Sequence, residues 1–248
     1  MGDVWIHEDE TLEDLQLAGL KLLQKKTGFR FGMDSVLLAH FAAIRPDDIV
    51  VDFGTGSGIL PLLLIGRGKG KEFHAVEIQP EYCEMAERNV KMNCLENRIK
   101  VYCADAGKSD KLFGHCYADN VICNPPYSRP GAALVSPFAE RATARSQNHD
   151  TLKSFFTAAF RILKGKGKIN IIYPASQMLH AMELMAECHL EPKRFQMIYP
   201  RETKPANLVL IEGIKDARPL LQPMKPLIVF DQNQDLTKEL KSIYHISN

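Results

Sequence analysis

The run from Ile49 to Ile65 limits what this chain can fold into more than any other. Five strand-prone residues, Ile49-Val50-Val51-Asp52-Phe53, lead straight into Gly54-Thr55-Gly56-Ser57-Gly58, and Ile59 to Ile65 then carries an apolar helical pattern. A strand entering a helix through a glycine-rich turn is the opening unit of an open α/β sheet. Glycine lets the backbone turn sharply and pass close to a ligand, and N–H groups at the helix start face that ligand. The unit repeats downstream. Strands are expected at 73–78, 99–104, 119–123 and 169–173, with helices over 80–93 and 152–163 between them. Pro80 suits a first helical turn, and Gly66, Gly68, Gly165 and Gly167 stop the helices that precede them. Alternation of this kind builds a parallel sheet with helices on both faces.

Beyond Pro174 the pattern predicts a helix over 177–188 and strands over 194–199 and 208–213. The short Pro200-to-Pro205 link leaves no room for a crossover helix, so these two strands are expected as an antiparallel hairpin at the sheet edge. The fold class is therefore α/β, a Rossmann-like seven-stranded sheet that is mostly parallel. Three regions follow. Residues 1–45 form an N-terminal extension, with an amphipathic helix or hairpin around 12–31 and a helix over 35–43. Residues 46–215 form the Rossmann-like domain. Residues 216–248 pack on it, with a strand candidate at 227–230 and a short helix over 236–244.

Composition excludes several classes. The net charge is +1, so a polyanion would have to be met by a local patch rather than by global basicity. Six cysteines form no Cys-x-x-Cys pair and no zinc spacing, which points to reduced core thiols and no metal. No apolar run approaches the roughly 18 residues of a membrane span, and the acidic N-terminus has the wrong sign for a signal peptide, so a cytoplasmic protein is expected.

The glycine turn departs from the dinucleotide spacing G-x-G-x-x-G. Asp52 stands ahead of Gly54, Gly56 and Gly58, where it would repel a pyrophosphate and suit a ligand carrying an ammonium. Glu77 ends the second strand, where a fold of this type grips ribose hydroxyls. Ile78 follows it. Asp105, beside Ala106, ends the third strand, where a carboxylate could accept from an adenine amine or cap a turn. These residues predict a nucleoside cofactor with a cationic end, S-adenosyl-L-methionine. Asn124-Pro125-Pro126-Tyr127 follows the fourth strand. The Asn124 carboxamide oxygen and the Pro125 carbonyl can accept both hydrogens of a planar amine, and Tyr127 offers a stacking face. Gripping the amine directs its lone pair at an electrophile and favours the charge it gains in the transition state. Methylation of a planar amine is the reaction this combination suits.

Together these motifs resemble the class I methyltransferases that modify exocyclic amines or amides. The stretch Gly28-Phe29-Arg30-Phe31-Gly32-Met33-Asp34-Ser35-Val36-Leu37-Leu38 resembles the lead-in of the bacterial tRNA(Val) adenine methyltransferase family. That resemblance implies an adenine beside the anticodon as substrate, with tRNA as the partner. It also implies that Phe31 and Asp34 line the methionine end of the cofactor, alongside Asp52, Thr55 and Asn124. A protein glutamine-amide methyltransferase and a ribosomal RNA guanine methyltransferase use the same tetrapeptide. A non-catalytic binding module would be expected to lose Asp52 or Asn124. For RNA contact, Arg141, Arg145, Lys153, Arg161, Lys164, Lys166 and Lys168 stand against Asp150 alone, and Lys193, Arg194, Arg201 and Lys204 form a second basic cluster.

Overall fold

The computed structural model describes residues 6–27, 32–125 and 139–245, the stretch 139–150 as backbone only. The chain opens with a two-stranded hairpin, β1 (Glu10–Asp14) and β2 (Lys21–Lys25), then α1 (Met33–Phe41). The repeating core follows: β3 (Ile49–Phe53), α2 (Ile59–Gly66), β4 (Glu72–Glu77), α3 (Pro80–Met92), β5 (Ile99–Cys103), a 3-10 turn (Ala106–Lys108), α4 (Ser109–Phe113) and β6 (Ala118–Cys123). After it come α5 (Ala139–Ile162), β7 (Leu163–Pro174), α6 (Met178–Glu187), β8 (Leu190–Arg201), β9 (Leu208–Lys215), β10 (Gln222–Pro223), β11 (Leu227–Phe230) and α7 (Lys238–Ile243).

The main sheet runs β10-β8-β9-β7-β6-β3-β4-β5, with β11 also on β8. It is parallel throughout β7-β6-β3-β4-β5, and β9 is antiparallel to both its neighbours. The sheet has nine strands, not the seven expected. The two extra strands are β10 and β11. They pair in parallel with the outer side of β8, so the β8–β9 hairpin lies inside the sheet rather than at its edge. β11 matches the strand expected at 227–230, whereas β10, two residues ending at Pro223, is too short for period-2 patterning to reveal. The N-terminal choice between helix and hairpin resolves as the hairpin β1–β2. β7 also starts earlier than expected, because Lys164 to Gly167 form an irregular stretch of strand where its pairing with β6 shifts register.

Alternate strand residues build two cores, as a sheet covered on both faces requires. Val50, Ile122, Ile172 and Leu210 pack with α1, α2 and α7. Val51, Val121, Ile171 and Val209 pack with α5 and α6. All eight are essentially sealed from solvent. In such a sheet the strand carboxyl ends form one edge where ligands bind. Because β9 runs backwards, the β8–β9 turn emerges at that same edge, beside the loops after β3, β4, β5, β6 and β7.

Candidate active site

The turn after β3 is built against the end of β4. The amides of Gly54 and Thr55 both donate to the Val76 carbonyl, at 2.9 and 3.1 Å. The Gly56 amide donates to Glu77 Oε2 at 2.9 Å. Gly56 sits at φ +56° and Gly58, which caps α2, at φ +82°, a region where a side chain is strained. Glu77 Oε1 accepts from the amides of Ile78 and Gln79, at 2.9 and 3.0 Å. Three of its roughly four lone-pair sites are thus taken, which immobilises the carboxylate and leaves capacity for a hydroxyl donor.

A cavity of about 570 Å³ opens on this turn. Gly54, Gly56, Glu77, Asp105, Ala106 and Asn124 all line it. Ile78 is 63% exposed, unusual for so apolar a side chain. It lines the cavity with Val76, Tyr82 and Phe155, giving a flat ring an apolar slot. Asp105 Oδ1 accepts from the Gly107 amide at 2.9 Å, and Lys108 Nζ lies 3.0 Å from Oδ2, so it caps the 3-10 turn while lining the cavity.

Asp52 lies beneath the turn, fully buried. Its Oδ2 accepts from Thr55 Oγ1 at 2.6 Å, and its Oδ1 has no hydrogen-bond partner. Burial pushes the Asp52 carboxyl up to about 7, the Thr55 hydrogen bond pulls against that, and the nearby Glu77 charge adds to it. A buried acid with an orphaned oxygen beside a ligand cavity is an environment a ligand ammonium would complete. The donor set therefore fits a cofactor with a cationic amino-acid end, a ribose and a planar base.

The structure thus gathers Gly54, Gly56, Glu77, Ile78, Asp105, Ala106 and Asn124 around one cavity, while Asp52 in β3 and Thr55 and Gly58 in the turn do not line it. Pro125 is buried next to Asn124. Asp34 is buried in the first turn of α1 and is not among the cavity-lining residues. Phe31, Pro126 and Tyr127 lie outside the described residues, as do the side chains of Arg141 and Arg145. Val76, Gln79, Tyr82, Thr151, Ser154 and Phe155 also line the cavity and were not read from the sequence. Thr151, Ser154 and Phe155 recur at helical spacing on α5, the signal that one face of that helix covers the pocket. Phe155 is held there by an edge contact with Phe53, ring centres 5.6 Å apart.

The basic residues divide between two edges. Lys164, Lys166 and Lys168 begin β7, at the edge opposite Asn124. Lys164 pairs with Asp119 at 2.8 Å, Lys168 lies 3.5 Å from Glu212, and Lys166 donates to the Asp216 carbonyl. Asp119 to Asn124 spans five residues of extended chain, about 17 Å. Arg201 and Lys204 instead sit at the cavity edge, three strands from Asn124, a lateral separation of about 14 Å. Arg201 donates to Gln234 Oε1 at 3.2 Å and lines a second cleft of about 660 Å³ with Ile228 and Phe230.

The profile of the TRM5/TYW2 methyltransferase domain matches residues 38–131. A tRNA1(Val) (adenine(37)-N6)-methyltransferase of Erwinia tasmaniensis is 32% identical over 190 residues, which cover 75% of each chain. This chain belongs to that methyltransferase family. The fold of the methyltransferase also matches solved structures. A protein of Agrobacterium tumefaciens, described as a predicted O-methyltransferase, superposes with a TM-score of 0.68 at 22% identity, over 86% of this chain and 96% of that one. P. horikoshii TYW2 in complex with MeSAdo superposes with a TM-score of 0.58 at 18% identity, over 85% of this chain and 73% of that one. The expected mostly parallel sheet with helices around it is borne out. Among the described residues of this methyltransferase, no helix is long and apolar enough to cross a membrane.

Proposed function

We propose that this methyltransferase uses S-adenosyl-L-methionine to methylate the exocyclic amine of an adenine in tRNA, next to the anticodon. The observation that carries the reading is Asn124 sharing one cavity with Glu77, Asp105 and the glycine turn. Glu77 would hold the ribose hydroxyls, Asp105 the adenine amine, and Asp52 the ammonium, with Ile78, Tyr82 and Phe155 enclosing the cofactor base. Bound there, the cofactor would supply a sulfonium methyl group for an amine lone pair to take, the S–CH3 bond breaking to leave a neutral thioether.

The rest of the chemistry belongs to the chain. The Asn124 carboxamide oxygen and the Pro125 carbonyl accept the two hydrogens of the target amine. That grip turns its lone pair out of the ring plane and towards the cavity. As the nitrogen gains positive charge its hydrogens become stronger donors, so the same two acceptors bind the transition state more tightly than the ground state. The extra proton then leaves to solvent, and no side-chain base is required. Tyr127 stacks on the extruded adenine. Stacking of this kind is worth roughly 1–3 kcal/mol and offsets part of the cost of removing the base from its loop. Arg201 and Lys204, at the cavity edge, meet the RNA backbone.

The test is incubation with labelled S-adenosylmethionine and unmodified tRNA, followed by nucleoside analysis. N6-methyladenosine in the anticodon loop is the expected product. Label appearing in protein glutamine, with none in tRNA, would overturn the substrate half of this reading.

A further inference from the structure

Asn89 is fully buried on α3, and its three side-chain hydrogen bonds all leave its own helix. Its Oδ1 accepts from the Leu23 amide at 2.6 Å, and its Nδ2 donates to the Leu23 carbonyl at 2.9 Å. The same Nδ2 donates to the Ser57 carbonyl at 2.8 Å. One carboxamide thus plays the part of a neighbouring strand to β2 and also holds the carbonyl between Gly56 and Gly58. Four residues along α3, Asn93 repeats the first half of this arrangement. Its Oδ1 accepts from the Lys21 amide at 2.9 Å and its Nδ2 donates to the Lys21 carbonyl at 2.8 Å. The register is a matter of geometry. Four helical residues rise about 6 Å and two strand residues about 6.7 Å, so asparagines at i and i+4 meet alternate residues of a strand lying along the helix. Arg88 adds a third anchor, an ion pair with the buried Glu10 of β1 at 2.6 Å.

The cofactor turn is therefore held from two sides. Val76 and Glu77 fix it from β4, and Asn89 fixes it from α3, where Ala86 Cβ already lies 3.6 Å from the position a Gly58 side chain would take. We infer that Asn89 is a positioning residue for the cofactor turn, and that through it the N-terminal hairpin and the cofactor site are coupled. Docking of β2 pre-forms the turn, and an occupied cofactor site in return secures β2. This rests on the cofactor reading above.

Asn93 supplies the control, because it grips the same hairpin and its remaining Nδ2 hydrogen bond, at 2.8 Å, goes to the Asn89 backbone carbonyl and not to the turn. Asn89→Asp keeps an acceptor for the Leu23 amide and replaces both donors. Asn93→Asp does the same to Lys21. Both variants should lose thermal stability. The dissociation constant for S-adenosylhomocysteine, measured by calorimetry on each folded protein, should rise tenfold or more in Asn89→Asp and change less than threefold in Asn93→Asp. At saturating cofactor, kcat on tRNA should stay close to wild type. An unchanged constant in Asn89→Asp, or an equal rise in both variants, would reduce Asn89 to packing and overturn the inference. If Asn89→Asp does not fold, the wild type decides through reciprocal linkage. Cofactor binding should slow hydrogen exchange at the Leu23 amide, and an unaltered rate overturns the coupling. A wild type that binds no S-adenosylhomocysteine would instead overturn the cofactor reading itself.

Discussion

Thr55 Oγ1 donates to Asp52 Oδ2 at 2.6 Å, and the other oxygen of that buried carboxylate has no partner. The glycine turn is thus closed over a half-satisfied acid. Burial is the largest reason its carboxyl stands near 7 rather than 3.8. A cation reaching the free oxygen would satisfy it and restore the charged form.

This sets a pH dependence. The folded carboxyl lies above its unfolded value, so the ligand-free protein holds the proton more tightly than the unfolded chain does. Stability from this group should fall as pH rises from 3.8 towards about 7. Binding should run the other way. If the cofactor ammonium needs the ionised acid, its affinity should weaken up to about tenfold per unit as pH falls below about 7, with proton release on binding. Calorimetry in buffers of different ionisation enthalpy measures that release. Asp52→Asn should bind weakly, release no proton and show a flatter stability profile. Equal proton release in Asp52→Asn would assign the titration elsewhere.

The turn itself offers a second test. Valine at position 56 would be forced to φ near +56°, a conformation β-branched residues avoid. Gly56→Val should remain folded and lose cofactor affinity by a hundredfold or more. Glu77→Gln should lose less, since an amide still accepts hydrogen bonds but presents one oxygen where the Gly56 amide and the Ile78 and Gln79 amides use two. Calorimetric titration of both proteins checks the order. Native affinity in folded Gly56→Val would remove the turn from the site.

Asn124→Ala isolates the chemical step. Removing one preorganised polar partner typically lowers turnover by about 10²–10³. Single-turnover methylation of tRNA should show that loss, with the cofactor dissociation constant shifted only a few-fold. Near-native turnover would exclude the amine grip.

Charge reversals test which edge meets RNA. Arg201→Glu with Lys204→Glu should raise the KM for tRNA and flatten its salt dependence, each lost phosphate contact lowering the slope by about one. Lys166→Glu, at the far edge and bonded to the Asp216 carbonyl, should leave both unchanged. The reverse outcome would place the RNA across the opposite end of the sheet.

Local pattern was enough to reveal the parallel core and the glycines and acids of the site. Asp52, Gly54, Gly56, Glu77, Asp105 and Asn124 all sit at strand ends, and strand ends are what local periodicity marks. Where charge falls in space was not local information. Lys168 and Arg201 read alike as basic residues near strands. Only strand direction sends them to opposite edges, because β7 begins where β6 begins and β8 ends where β9 turns back. The strand at 227–230 was legible, but its place beside β8 was not, and the two-residue β10 was not legible at all. Both join the sheet by pairing with β8, and their own few residues do not specify that partner. The Asn89 bridge needed three distant segments at once: β2 at Leu23, the turn at Ser57 and α3 between them. A buried carboxamide finds its partners across the fold, so its role was decided by tertiary packing alone.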